Sequence, residues 1–90
     1  MQLDILTPLQ TVFSGEVQSV QVPGSKERGS FQILDKHAPM ISSLQAGKVT
    51  VRSGNDTRVF FIKEGFVEVM EGRVAVLVEE AEEATEKEAR

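Results

Sequence analysis

Apolar residues in this chain recur mostly at every second position, in short runs. Leu3 and Ile5 point one way and Asp4 the other. Phe31 and Ile33 alternate with Gln32, and Val49 and Val51 with Thr50 and Arg52. Val74, Val76 and Val78 share a face, with Arg73, Ala75 and Leu77 opposite. A period of two is the mark of a half-buried strand. Turn chemistry separates the runs at Thr7-Pro8, Ser14-Gly15, Pro23-Gly24-Ser25, Ala46-Gly47, Ser53-Gly54-Asn55-Asp56, Glu64-Gly65 and Glu71-Gly72. The stretch Val69 to Val74, centred on Glu71-Gly72, reads as a tight hairpin. Many short strands at this spacing predict an all-β sandwich or barrel, because a lone sheet leaves one face wet.

Two places depart from simple alternation. Val20 and Val22 share a parity while Val17 has the other, so a bulge or a bend between two sheets is expected across Ser19. Val59-Phe60-Phe61-Ile62 is apolar on both parities. One parity faces the core; the other needs a second sheet, the tail or a partner.

After Val78 the period changes. Residues 79–90 are mostly strong helix formers, with Thr85 the one β-branched residue. Glu83–Lys87 and Glu86–Arg90 are favourable i,i+4 pairs, and the acids precede the bases as a helix dipole prefers. The pattern predicts a sandwich domain over 1–78 followed by an acidic helical stub over 79–90. A helix of about 12 residues is marginal alone in water, so the stub is expected frayed or weakly docked through Ala81, Ala84 and Ala89.

Charge sharpens that division. The net charge of −4 resides in the tail, and residues 1–78 hold acids and bases in equal number. With no basic surplus to neutralise phosphates, nucleic-acid binding is disfavoured. The 90 residues suit one domain, and the lack of cysteine removes disulfides and thiolate metal sites. No apolar run approaches the ~18 residues of a membrane span, and no signal peptide precedes the first strand. The expected address is the cytosol or a surface facing it.

Catalytic chemistry is thin. His37, the only histidine, lies beside Asp35, and a triad reading would draft Ser42 or Ser43 as nucleophile. The chain has no nucleophile elbow and no oxyanion loop, so no catalytic residue is assigned. One histidine without cysteine does not make a typical zinc site, and the carboxylates lack calcium-loop spacing. Gly24-Ser25-Lys26-Glu27-Arg28-Gly29-Ser30 superficially resembles a phosphate loop. It lacks the lysine before the serine and runs into a strand, whereas a phosphate loop must open a helix. A flexible charged hairpin loop, or one that docks on a polar partner, is the better reading. No metal or cofactor is implied. A small β domain of this kind is most simply an interaction or structural part. The alternatives are a free-standing peptide- or ligand-binding module using Val59–Ile62, and a small hydrolase built around His37.

Longer motifs go further. Val12-Phe13-Ser14-Gly15-Glu16-Val17, Val20-Gln21-Val22-Pro23-Gly24-Ser25 and Gly29-Ser30-Phe31-Gln32-Ile33-Leu34-Asp35-Lys36-His37-Ala38-Pro39 follow one another at a distinctive spacing. Leu3-Asp4-Ile5-Leu6-Thr7-Pro8 precedes them; Leu44-Gln45-Ala46-Gly47 and Ile62-Lys63-Glu64-Gly65-Phe66-Val67-Glu68-Val69 come after. Over residues 1 to about 80 the chain resembles the epsilon-subunit family of F-type ATP synthases, called delta in mitochondria. The resemblance implies a ten-stranded β-sandwich and a non-catalytic place in the rotating central stalk, between the gamma subunit and the c-ring. It implies that Lys26, Glu27, Arg28, Gly29 and Ser30 reach the c-ring and that His37, Ala38, Pro39 and Met40 face gamma. It also implies membrane association only through the complex, on the cytoplasmic face of the bacterial inner membrane. An isolated domain is expected to be able to dimerise through its apolar partner face. Relatives continue into a pair of inhibitory helices, so a chain of this length is expected to lack that arm.

Overall fold

The computed structural model describes residues 1–89. Ten strands run in chain order: β1 Gln2–Leu6, β2 Thr11–Glu16, β3 Ser19–Pro23, β4 Ser30–Leu34, β5 Met40–Leu44, β6 Gly47–Ser53, β7 Asp56–Ile62, β8 Gly65–Met70, β9 Arg73–Val78 and β10 Ala81–Glu83. They form two five-stranded sheets, ordered β2-β1-β9-β8-β5 and β10-β7-β6-β3-β4. The alternating residues face each other between the sheets. Leu3, Ile5, Val20, Val22, Ile33, Val49, Val51, Phe60, Val67, Val74 and Val76 are almost wholly buried. The sandwich and its strand number are therefore those expected.

The phase change near Ser19 is a sheet-to-sheet crossing. β2 belongs to the first sheet and β3 to the second. The crossing falls at Val17 and Gln18. The Val17 N–H donates to the Met1 carbonyl at 2.9 Å, and the Gln18 N–H to the Arg52 carbonyl at 2.7 Å. One residue thus still bonds the first sheet while the next already bonds the second. The Glu71-Gly72 hairpin is also as expected, with Met70 paired to Arg73.

Ser14-Gly15 is not a turn. Both residues lie inside β2, paired to Asp4 and Leu3. The Ser14 hydroxyl donates to the Asp4 carboxylate at 2.6 Å, so its turn-forming oxygen is occupied across the strands rather than locally.

The tail departs most from expectation. Residues 81–83 are strand, not helix, and pair antiparallel with β7 through Ala81–Ile62, Glu82–Phe61 and Glu83–Phe60. The physical reason is that β7 would otherwise be an open sheet edge, and its unpaired backbone groups outweigh a weak local preference. Glu83 accordingly does not pair with Lys87. It accepts two bonds from the Arg58 guanidinium, at 2.7 and 2.8 Å. The Glu86–Arg90 pair lies outside the described residues. Helix begins only at Glu86 and lasts four residues, to Ala89. Its start is a capping box: the Glu88 N–H donates to the Thr85 hydroxyl at 3.2 Å, and the Thr85 N–H donates back to the Glu88 carboxylate at 2.9 Å. Those bonds, from the Thr85 backbone first, hold the Glu88 carboxyl below its ordinary range.

β10 lies beside the doubly apolar run of β7. Val59, Phe60 and Ile62 are buried and Phe61 is half-buried. Phe60 packs into the core, edge-to-face with Phe13 of the opposite sheet at 5.7 Å. On the strand's free side the Ala84 N–H bonds the Val59 carbonyl at 2.8 Å. The tail thus pairs along the backbone edge of this strand. No helix among the described residues is long and apolar enough to cross a membrane.

Candidate interaction loops

The two candidate contact segments leave opposite ends of β4. Residues 24–29 connect β3 to β4 as a hairpin loop closed by the Pro23–Ser30 pair. Residues 35–39 connect β4 to β5. With five residues of strand between them, the loops stand roughly 17 Å apart.

The charged loop is built on glycine at both ends. Gly29 has φ +74°, a backbone conformation that side chains rarely adopt. A Cβ on Gly24 would fall 2.3 Å from the Gly29 carbonyl and 2.9 Å from the Phe31 ring. The chain can close here only because position 24 has no side chain. Gln45 fastens the base from outside: its N–H bonds the Pro23 carbonyl at 2.9 Å and its side-chain Nε2 bonds the Gly24 carbonyl at 3.1 Å. Within the loop, Ser25 accepts the Gly29 N–H on its carbonyl and the Arg28 N–H on its hydroxyl. Arg28 then lies over the Phe31 ring, 4.1 Å from its centroid. Arg28 is thus a held cation rather than a solvated one. Lys26 and Glu27 are exposed, and neither makes an ion pair among the described residues. The loop offers a fixed guanidinium, a free ammonium and a free carboxylate.

The second loop is compact. Lys36 sits at φ +69°, which costs a side-chain-bearing residue about 1–2 kcal/mol. That conformation turns the chain so that the His37 N–H reaches the Leu34 carbonyl at 3.1 Å. His37 is half-buried, and its Nδ1 bonds the Ala38 carbonyl at 2.8 Å. A carbonyl only accepts, so Nδ1 carries a proton in this bond. The Asp35 carboxylate accepts the Lys36 N–H, and the Ser42 hydroxyl donates to the Ser43 carbonyl. His37 is therefore oriented by backbone and not by a carboxylate, and the triad geometry of a hydrolase is not assembled. Asp35 to Pro39 line a shallow cleft with Glu71 and Gly72 of the β8–β9 turn.

Pro39 and Met40 lead directly into β5, the free edge of the first sheet, where Ile41 is 70% exposed. On the same outer face Leu6, Leu77 and Phe66 lie side by side in register across β1, β9 and β8. Phe66 is 55% exposed. Exposed apolar side chains thus cluster on β5, β8 and β9, with Leu9 and Leu34 exposed elsewhere, while the doubly apolar run of β7 is largely buried. The signal of that cluster was the off-parity Leu77 of the valine strand. Arg58 carried no pattern that marked it out, and Gln45 was marked only as part of the Leu44-Gln45-Ala46-Gly47 motif, since their importance comes from contacts with distant strands.

The chain matches the family described as "ATP synthase, Delta/Epsilon chain, beta-sandwich domain" over residues 1–84. It belongs to the ATP synthase delta/epsilon family. It is similar to an ATP synthase epsilon chain from Caulobacter vibrioides, 42% identical over 84 residues, which span 93% of this chain and 95% of that one. It is also similar to ATP synthase epsilon chain 2 of Syntrophotalea carbinolica, 42% identical over 82 residues, but spans only 58% of that chain's length. Among solved structures, a chain of the Euglena gracilis mitochondrial ATP synthase, in its OSCP/F1/c-ring assembly, superimposes with a TM-score of 0.82. The match covers 90% of this chain and 51% of the other, at 21% identity. A chain of the Tetrahymena thermophila central stalk/c-ring structure gives 0.76 at 16% identity, covering 64% of it. At such identities the likeness establishes the delta/epsilon sandwich fold.

Proposed function

We propose that this chain is an accessory, non-catalytic subunit of a rotary proton-translocating ATP synthase, placed in the central stalk between the gamma subunit and the c-ring. The observation that carries the reading is the 42% identity to an ATP synthase epsilon chain over 93% of this chain and 95% of that one. In this role the domain performs no bond chemistry. It transmits torque, so that rotation of the ring driven by proton flow reaches the catalytic head.

A torque link needs two separate adhesive surfaces on a stiff body. The loops at opposite ends of β4 supply two surfaces of different chemistry, and the sandwich core between them is tightly buried. The charged loop, Lys26 to Ser30, is assigned to the ring. Its held Arg28 and free Lys26 suit polar and acidic groups on a ring loop through charge-assisted bonds. The turn His37–Met40, continued by exposed Ile41 and Met70, is assigned to gamma. An apolar strip edged by a polar turn is the usual anatomy of a lasting protein interface. The complex would hold the subunit at the cytoplasmic face of the bacterial inner membrane as a peripheral part. The free-standing binding-module reading loses its motive, because Val59, Phe60 and Ile62 are buried within the domain and the β7 edge is paired.

Co-purification tests the assignment. The chain, expressed with the synthase subunits of its own organism, should recover gamma as principal partner. Failure to bind gamma would overturn it and return attention to an independent binding module.

A further inference from the structure

β10 is the shortest strand of the sandwich, three residues long, and it pairs on one side only, with β7. Its sequence, Ala-Glu-Glu, has poor strand propensity and little to bury: only Ala81 packs against the core cluster. By contrast, the β6–β7 pairing beside it runs over seven residue pairs. Side-chain charge reinforces the short β10 ladder. Arg58 bonds Glu83 with both fork nitrogens, at 2.7 and 2.8 Å. The same guanidinium lies 4.8 Å over the Phe13 ring of the first sheet and 5.6 Å over Phe60 of the second. One cation therefore ties β10 to both layers. At the other end Lys63 donates its N–H to the Glu80 carbonyl at 2.9 Å and its ammonium lies 3.6 Å from the Glu80 carboxylate.

We propose that β10 is a releasable latch, held on the β7 edge by a three-residue ladder that the Arg58–Glu83 pair reinforces, that opens without unfolding the other nine strands. The physical basis is that an edge element with few buried apolar contacts opens at much lower free energy than the domain as a whole. Release uncovers the backbone edge of β7 and frees the chain beyond Glu83 to leave in a new direction. The side chains of Arg58 and Glu83 are 45% and 42% exposed, so salt or a partner's carboxylate can compete for the guanidinium. Closed, the latch fixes where the following residues start; open, it turns a covered edge into a strand-accepting one. This inference is independent of the rotor assignment.

Amide hydrogen exchange on the full chain tests it, comparing wild type with Glu83→Gln and Arg58→Lys. Two amides report on the latch: Ala84, bonded to Val59, and Lys63, bonded to Glu80. In Glu83→Gln both should exchange about five-fold faster, while amides of β6 and β8 keep wild-type rates. Arg58→Lys keeps the charge but loses the fork and should give a smaller acceleration at the same two amides. Unchanged exchange at Ala84 and Lys63 would overturn the proposal. Equal acceleration in β6 and β8, or global unfolding of Glu83→Gln, would also overturn it, since β10 would then open only with the whole domain.

Discussion

The two loops that leave β4 are held by different means. The charged loop is tied at its base by Gln45 and closed by the contact of Gly24 with the Gly29 carbonyl, and its tip is free to carry charge. The His37 loop is tied through its own backbone, at the expense of Lys36 in the left-handed region, and it merges into an apolar edge strand. The first presents one held cation and two free charges on a fixed base. The second presents a fixed shape. Charge selects and orients a partner; fixed apolar shape supplies lasting adhesion. This contrast is compatible with the proposed assignment of the ring to one loop and gamma to the other, which the family resemblance implies.

The largest effect is expected where the contrast is broken at its narrowest point. Gly24→Val places side-chain atoms inside the Gly29 carbonyl and the Phe31 ring, and should destabilise the domain by about 1–3 kcal/mol, read by urea denaturation. Gamma binding should survive, because the His37 loop is untouched. Gln45→Ala removes one side-chain bond from the loop base, worth about 0.5–1.5 kcal/mol, and leaves its backbone bond in place. Lys36→Gly sharpens the comparison from the other side. It relieves a left-handed side chain but adds unfolded-state freedom, so stability should rise by up to about 1 kcal/mol in thermal unfolding.

The smallest expected effect lies away from both loops. The bonds from Arg58 hold the Glu83 carboxyl below its ordinary range, and raise the Arg58 guanidinium in turn. A group with a lowered folded pKa contributes stability above its unfolded value, about 4.3, and loses it as pH falls through the folded value. Acid should therefore loosen β10, seen as faster exchange at Ala84 below about pH 4, before it disturbs either loop.

What could be read from the residues alone divides along the same lines. Alternation located the body strands because a half-buried strand writes its period locally. The crossing at Val17–Gln18 was legible as a change of parity. The charged loop and the His37 turn were legible as motifs. β10 was not, because Ala-Glu-Glu becomes a strand only when the β7 edge is present to pair with it. The true helix start was legible after all, in Thr85-x-x-Glu88, but the helix-forming glutamates before it masked the boundary. The turn reading of Ser14-Gly15 failed for a similar reason: the partner of Ser14 is Asp4, ten residues away.

The central claim is that one stiff domain holds two partners through two separate loops. The most direct measurement is co-purification of gamma and the c-ring with three forms of the chain: wild type, Lys26→Glu/Arg28→Glu, and His37→Glu/Ile41→Glu. Wild type should recover both partners. The first variant should retain gamma and lose the ring, and the second should lose gamma. Loss of both partners from the charge-reversed loop, or retention of both by each variant, would contradict the division of labour between the two ends of β4.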